Sequence, residues 1–419
     1  MNRKTLAHAG QWLPSDHEVM GLWLRMLIDE VESNSQPLRP VLQTFKEEIE
    51  SDPHLFMLFD MMFRQIPKKP PYLTDPTSKP QVRDYEHMLE LINAILVKAP
   101  EFNETGLVGF PINTILDWPM GTEGGFAAFL NEKVNRHLKH ILLDWGIFLS
   151  SKDSCYVLND DPLHGWFGEG AQKKMPDFEK DFVCDPTKPH HGFNSWDDFF
   201  TRVFRPGRRP VDSPDDPDII VNACESAPYN LARNVKKHDR FWLKGQPYSL
   251  EHMLAGDSLA ACFEGGTIYQ AFLSALSYHR WHSPVSGRIV KTYVQPGTYY
   301  SETPYEHFDP EAPNASQGFI TEVATRAFIY IEADNPRIGL MCFMAVGMAE
   351  VSTCQITVYE GQEVEKGDQL GMFHFGGSTH CLIFRPDVRL EFHLHGQKPG
   401  LDAFNIHINS RIATVEPNG

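Results

Sequence analysis

A chain of 419 residues, 42% hydrophobic and 12% aromatic, is long enough for a large core and too apolar to be disordered. Its formal net charge of −17 is spread along the chain, which argues against nucleic acid and against an anionic membrane surface, since both are bound through clustered cations. Seven scattered cysteines without a CxxC pair read as reduced thiols in a cytoplasmic protein, not as a disulfide framework or zinc site. The opening "MNRKTLAHAGQWLPSDHE" lacks the apolar core of a secretory signal, and no stretch is apolar for long enough to anchor the chain in a membrane.

Residues 1–185 are expected to form a helical region. In "MGLWLRMLIDEVES", from Met20, the residues Leu22, Leu24, Met26, Leu27 and Val31 fall near helical spacing. "LRPVLQTFKEEIESDPHLFMLFDMMFRQI" reads as two helices parted at Ser51-Asp52-Pro53, a cap followed by a first-turn proline. "KKPPYLTDPTSKP" is a loop, and "VRDYEHMLELINAILVKAP" and "GGFAAFLNEKVNRHLKHILLDWGIFLS" return to the helical period. "NSWDDFFTRVFRPGRRPVD" predicts a capped helix running to Pro206-Gly207 and then an exposed basic loop. Beyond it, short β-branched and aromatic runs alternate with Gly and Pro, the pattern of short antiparallel strands. "GQEVEKGDQLGMF" has the form of a hairpin with turn glycines Gly361 and Gly367, and with Val364 and Leu370 inward. The expected fold class is α+β: a helical N-terminal region, then a mainly antiparallel β domain over 186–419.

Two stretches carry candidate chemistry. "SYHRWHSPVSG" is the densest polar-aromatic cluster, but His279 and His282 are three apart and would point to opposite faces of a straight strand. "GMFHFGGSTHCLIF" places a serine and a threonine directly after two glycines, which fits a turn as well as a reactive site. Asp212, read alone, is a surface aspartate. A carboxylate, a histidine and a hydroxyl far apart in sequence can still form a relay, because geometry and not position defines one. His393 and His395 have HxH spacing, with His407 later, but no further ligand stands at helpful spacing and no metal is expected.

Taken together, "SWDDFFTRVFRPGRRPVD", "SYHRWHSPVSG" and "KGDQLGMFHFGGST" resemble, in order and spacing, the phosphatidylserine decarboxylase family of self-cleaving pyruvoyl enzymes. "FWLKGQPYSLEHML" and "AVGMAEVST" resemble further elements of that family, and the likeness spans about residues 190 to 392. It implies that the chain cuts itself between Gly377 and Ser378 into 1–377 and 378–419, with Ser378 becoming the pyruvoyl cofactor and Thr379 completing the motif. It implies that Asp212 and His282 form the relay that drives cleavage, and that His279 serves decarboxylation. Several features depart from the membrane members: Gly376 where leucine is usual, Trp281 within the histidine motif, "CESAPYN" in place of an S-P-x-DG element, and no anchor. These departures make the chain similar to the soluble fungal branch, which includes L-tryptophan decarboxylases.

The expected activity is pyruvoyl-dependent decarboxylation of an aromatic L-amino acid, foremost tryptophan, within an association of the two cut chains. Trp281, Phe375, Gly376 and Thr379 are candidate substrate contacts. The alternatives are a phosphatidylserine decarboxylase and a non-catalytic binding protein on the same scaffold.

Overall fold

The structure, a computed structural model, describes residues 17–69, 71–102, 110–239, 248–273, 276–303, 316–351, 353–375 and 378–417. Gly376 and Gly377 lie outside the described residues, as does most of "FWLKGQPYSL".

Local signals set the helices. Helix α1 (His17–Ser33) buries Met20, Leu24, Leu27 and Val31, spaced four, three and four apart. The expected Leu22 and Met26 face outward instead, because about 100° per residue carries them to the other side of the helix. Helices α2 (Pro40–Ser51) and α3 (Pro53–Arg64) part at Asp52, whose carboxylate accepts the His54 and Leu55 amides while Pro53 opens the next turn. Helix α4 (Tyr85–Ile95) follows, then α5 (Pro111–Met120), buried along its whole length, then α6 (Glu123–Phe129) and α7 (Glu132–Leu149). Asn131 separates the last two by capping α7 through the Lys133 amide.

The helix expected to run to Pro206 covers Trp196–Phe200 alone. Its last turn is closed by Thr201, whose hydroxyl bonds the Asp197 carbonyl, and the chain then turns so that Phe204 bridges Phe182. The expected basic loop is partly folded in: the Arg209 guanidinium lies over the Phe204 ring and binds the Glu225 carboxylate at 2.8 Å.

Among the described residues thirteen strands follow: β1 (Ile219–Val221), β2 (Ala227–Arg233), β3 (Thr267–Leu273), β4 (Arg280–His282), β5 (Gly287–Gln295), β6 (Arg326–Ala333), β7 (Leu340–Gly347), β8 (Thr353–Ile356), β9 (Glu363–Val364), β10 (Gln369–His374), β11 (Ser378–Phe384), β12 (Leu390–Phe392) and β13 (Arg411–Val415). They pair antiparallel into a seven-stranded sheet, β2-β3-β11-β7-β6-β5-β9, and two three-stranded sheets, β4-β10-β8 and β1-β13-β12. The expected β9–β10 hairpin is not a ladder: β9 pairs with β5, and β10 with β4 and β8. Its turn glycines do take left-handed φ values, 87° at Gly361 and 93° at Gly367, and Val364 and Leu370 are buried.

Strands β3 and β11 are buried at every residue, because the large sheet is covered on both faces. On one face the β4-β10-β8 sheet lies across it, with the Trp281 ring 5.5 Å from Phe343. On the other face Phe263 packs on Tyr330, and the Arg326 guanidinium holds the carbonyls of His252 and Met253. A single hydrophobic cluster runs from the helices into the sheets.

Candidate active site

Ser378 opens the central strand of the large sheet, paired with Leu273 of β3 and Gly347 of β7. It is fully buried, and its hydroxyl has no hydrogen-bond partner among the described residues. A buried hydroxyl left unpaired costs about 1–3 kcal/mol, so its presence calls for a reason beyond packing.

The residue before Gly376 is strained. Phe375 has φ +58°, a region that bulky side chains avoid and that costs on the order of 1–3 kcal/mol. Three rings hold it there: Trp145 of α7 at 4.5 Å, Trp196 at 4.7 Å and Phe200 at 6.1 Å. His374, just before it, is fixed between the Asp197 carboxylate at 3.0 Å and Gln355 at 2.7 Å. The chain on the N-terminal side of Gly376-Gly377 is therefore clamped by aromatic packing, and the chain on the C-terminal side by two strands.

The two histidines of "YHRWH" separate as strand alternation requires. His279 and Trp281 turn inward and are fully buried, while Arg280 and His282 turn outward and are partly buried. His279 stacks on Phe200 at 4.1 Å, and its carbonyl accepts the Phe373 amide, which puts it on the side of the Phe375 turn.

His282 looks elsewhere. Its Nδ1 lies 2.6 Å from the Gly367 carbonyl and its Nε2 2.9 Å from the Tyr278 hydroxyl. A carbonyl can only accept, so Nδ1 carries the proton and Nε2 accepts from Tyr278 when the ring is neutral. Burial pushes the ring pKa down to about 4, which keeps it neutral at physiological pH. The Asp212 carboxylate accepts the Arg411 amide at 3.2 Å, and Val211 packs where a side chain on Gly367 would stand. Asp212 is thus one residue from the anchor of His282, yet among the described residues no hydrogen bond joins Asp212, His282 and Ser378. Thr379 points to the opposite face, where its hydroxyl bonds the Ala271 carbonyl and accepts from Gln270. Trp281 is core between the sheets, 4.8 Å from Phe373.

Several neighbours of the site were not among the sequence candidates. Beyond Trp145 and Trp196, Glu350 follows β7 and accepts the Asn113 amide at the start of α5. Burial pushes its carboxyl up to about 8. Asn135 of α7 accepts the Tyr299 amide, and Lys69 lies buried between Asp117 of α5 and Glu302. Nothing local marks their roles, since each meets a partner more than 100 residues away, and Lys69 also pairs directly with Asp117 at 3.1 Å. His380, two residues after Ser378, is also buried and had no signal beyond its residue type.

A buried serine, unpartnered among the described residues, thus heads the central strand, three residues after the positive-φ Phe375. Two family models, both described as phosphatidylserine decarboxylase, match residues 39–175 and 196–409. The chain belongs to the phosphatidylserine decarboxylase family. An L-tryptophan decarboxylase of Psilocybe cyanescens is 39% identical over 96% of this chain and 94% of its own. The decarboxylase iboD of Amanita muscaria is 45% identical over 72% of this chain and 94% of its own. A phosphatidylserine decarboxylase proenzyme of Chlamydia caviae is 30% identical over 54% of this chain and 73% of its own. All three are named decarboxylases, in agreement with the carboxy-lyase class expected of this chain. No helix among the described residues is long and apolar enough to cross a membrane.

Proposed function

We propose that this protein is a pyruvoyl-dependent decarboxylase of aromatic L-amino acids, acting foremost on L-tryptophan, and that it makes its cofactor by self-cleavage at Ser378. The observation that carries this reading is the unpartnered, fully buried Ser378 hydroxyl beside the positive-φ Phe375. Attack of Ser378 Oγ on the Gly377 carbonyl carbon breaks the peptide bond and leaves an ester. Elimination of the ester carboxylate gives dehydroalanine, and hydrolysis then yields a ketone and ammonia. A ketone at this position supplies an electron sink for loss of CO2.

This chain's own residues then hold and shield the site. The cut C-terminal chain, 378–419, keeps its place because β11 is paired on both sides and β13 pairs with β1 of the larger chain. His279, inward on the Phe375 side, is assigned the proton transfers at the reacting carbon. A relay through Asp212 and His282 requires the imidazole to leave Gly367 and Tyr278, so release of His282 gates self-cleavage.

The relatives favour a soluble amino acid over a phospholipid: the L-tryptophan decarboxylase aligns with 96% of the chain, helices included, and the Chlamydia caviae proenzyme with 54%. The test is intact mass together with CO2 release from L-tryptophan and from short-chain phosphatidylserine. Wild type should appear as two chains, and Ser378→Ala as one inactive chain. Cleavage persisting in Ser378→Ala would remove Ser378 from the proposal. His279→Ala should be cut normally and decarboxylate poorly.

A further inference from the structure

The two faces of β11 differ in how they treat polar groups. On the Thr379 face the groups around Thr379 are linked: Thr379 bonds Gln270, Gln270 bonds the Tyr248 hydroxyl, and Tyr248 bonds Asn230, while the Arg326 Nε and Tyr330 hydroxyl of that face, unpartnered among the described residues, belong to β6. On the Ser378 face none of the corresponding groups has a partner among the described residues. These are the Ser378 hydroxyl, both ring nitrogens of His380, and the Tyr269 hydroxyl; from the covering sheet they are joined by the Trp281 indole N–H. All four residues are fully buried.

Their placement follows from register. Residues Ser378 and His380 share a face by alternation, roughly 6.6 Å apart along the strand. Opposite His380 stand Ala271 on β3 and Ala345 on β7, with Ala327 of β6 beyond, and opposite Ser378 on β7 stands Gly347. Between these alanines the imidazole is the bulky group, flanked one level further along the sheet by Tyr269 and Phe343. The Ala271 carbonyl beside it already accepts the Thr379 hydroxyl. An isoleucine or valine would fill the same space without the cost of burying an imidazole whose acceptor nitrogen finds no donor among the described residues. Native interiors rarely keep such groups without a use for them.

We propose that His380 is a specificity-determining residue: its neutral imidazole accepts a hydrogen bond from the ring N–H of an indole-bearing substrate whose α-carbon reacts at position 378. The inference rests on the proposed function and adds to it which atom of the chain reads the side chain. The spacing suits it, since two strand residues span about the reach of an aromatic amino-acid side chain from its α-carbon. Burial, which pushes the His380 pKa down to about 3, keeps a nitrogen lone pair available at all physiological pH. Aromatic walls are present in Phe343 and Trp281.

The test uses L-tryptophan, its isostere 3-benzothienyl-L-alanine, which has sulfur in place of N–H, and L-phenylalanine, with cleaved full-length enzyme checked by intact mass. Wild type should prefer tryptophan over the isostere by roughly 10- to 100-fold in kcat/KM. His380→Met should lose that preference through tryptophan alone, while the isostere and phenylalanine stay within about three-fold. Should His380→Met fail to fold or cleave, His380→Gln, which keeps an acceptor, should retain the preference at least in part. Equal use of tryptophan and the isostere by wild type overturns the proposal and leaves the proposed function standing. So does an equal loss on all three substrates in His380→Met. Cleaved wild type that decarboxylates no aromatic amino acid overturns the proposed function, and this inference with it.

Discussion

The helical and β regions divide the work unequally. Every candidate reactive group lies in the β region, whereas the helices contribute side chains that hold it. Trp145 presses on Phe375, Asn135 takes the Tyr299 amide, the start of α5 meets Glu350, and Lys69 reaches Glu302. All these contacts fall on segments flanking Ser378 or on the Tyr299–Glu302 stretch beside β7. The difference teaches that the helical region braces the chain that leads to Ser378, and the following experiments break or sharpen that view.

The largest effect is expected from Lys69→Met. It leaves the Asp117 and Glu302 carboxylates buried without their cation, which should cost about 3–5 kcal/mol in denaturant unfolding. A loss below about 1 kcal/mol would mean that this cluster does not bind the two regions.

Trp145→Ala should cost about 3–5 kcal/mol through the cavity it leaves. Because the ring also pins Phe375, it should slow self-cleavage well beyond what an equally destabilising core variant such as Ile49→Ala does. Equal cleavage rates in the two variants would reduce the helical region to a packing role.

Glu350 tests the same junction by pH. Its folded pKa, raised to about 8 by burial, exceeds the unfolded value near 4.5, so the folded state holds the proton over that window. The stability it contributes is complete below about pH 4.5 and is lost as pH rises through about 8. Wild type should therefore lose a few kcal/mol between pH 5 and pH 8.5 relative to Glu350→Gln, whose profile over the same range should be flatter.

The smallest effect is expected within the β region. Tyr278→Phe removes one hydrogen bond to His282, at about 1 kcal/mol, and should speed self-cleavage by freeing Nε2. Slower cleavage would instead place the Tyr278 hydroxyl in the proton path.

Much of this was legible in the residues. The Asp52 cap with Pro53, the turn glycines Gly361 and Gly367, and the opposite facing of His279 and His282 all follow from local backbone rules. Helix α5 was not legible: it is short, buried on all sides with Asn113, Thr114 and Asp117 among its apolar residues, and carries Pro119 inside. The β9–β10 segment was misread because a turn fixes a local bend, while the choice of strand partner is made by distant chain.

The sequence by itself determined most of the elements, the family and the candidate serine, since caps, periodicities and contiguous motifs are written in neighbouring residues. Only the tertiary structure decided that His279 stacks on Phe200, what holds Phe375 in a left-handed conformation, and that the Ser378 face of β11 carries unpaired polar groups. Those properties belong to pairs of segments far apart in the chain, and burial, register and packing assign them when the sheets and helices close on one another.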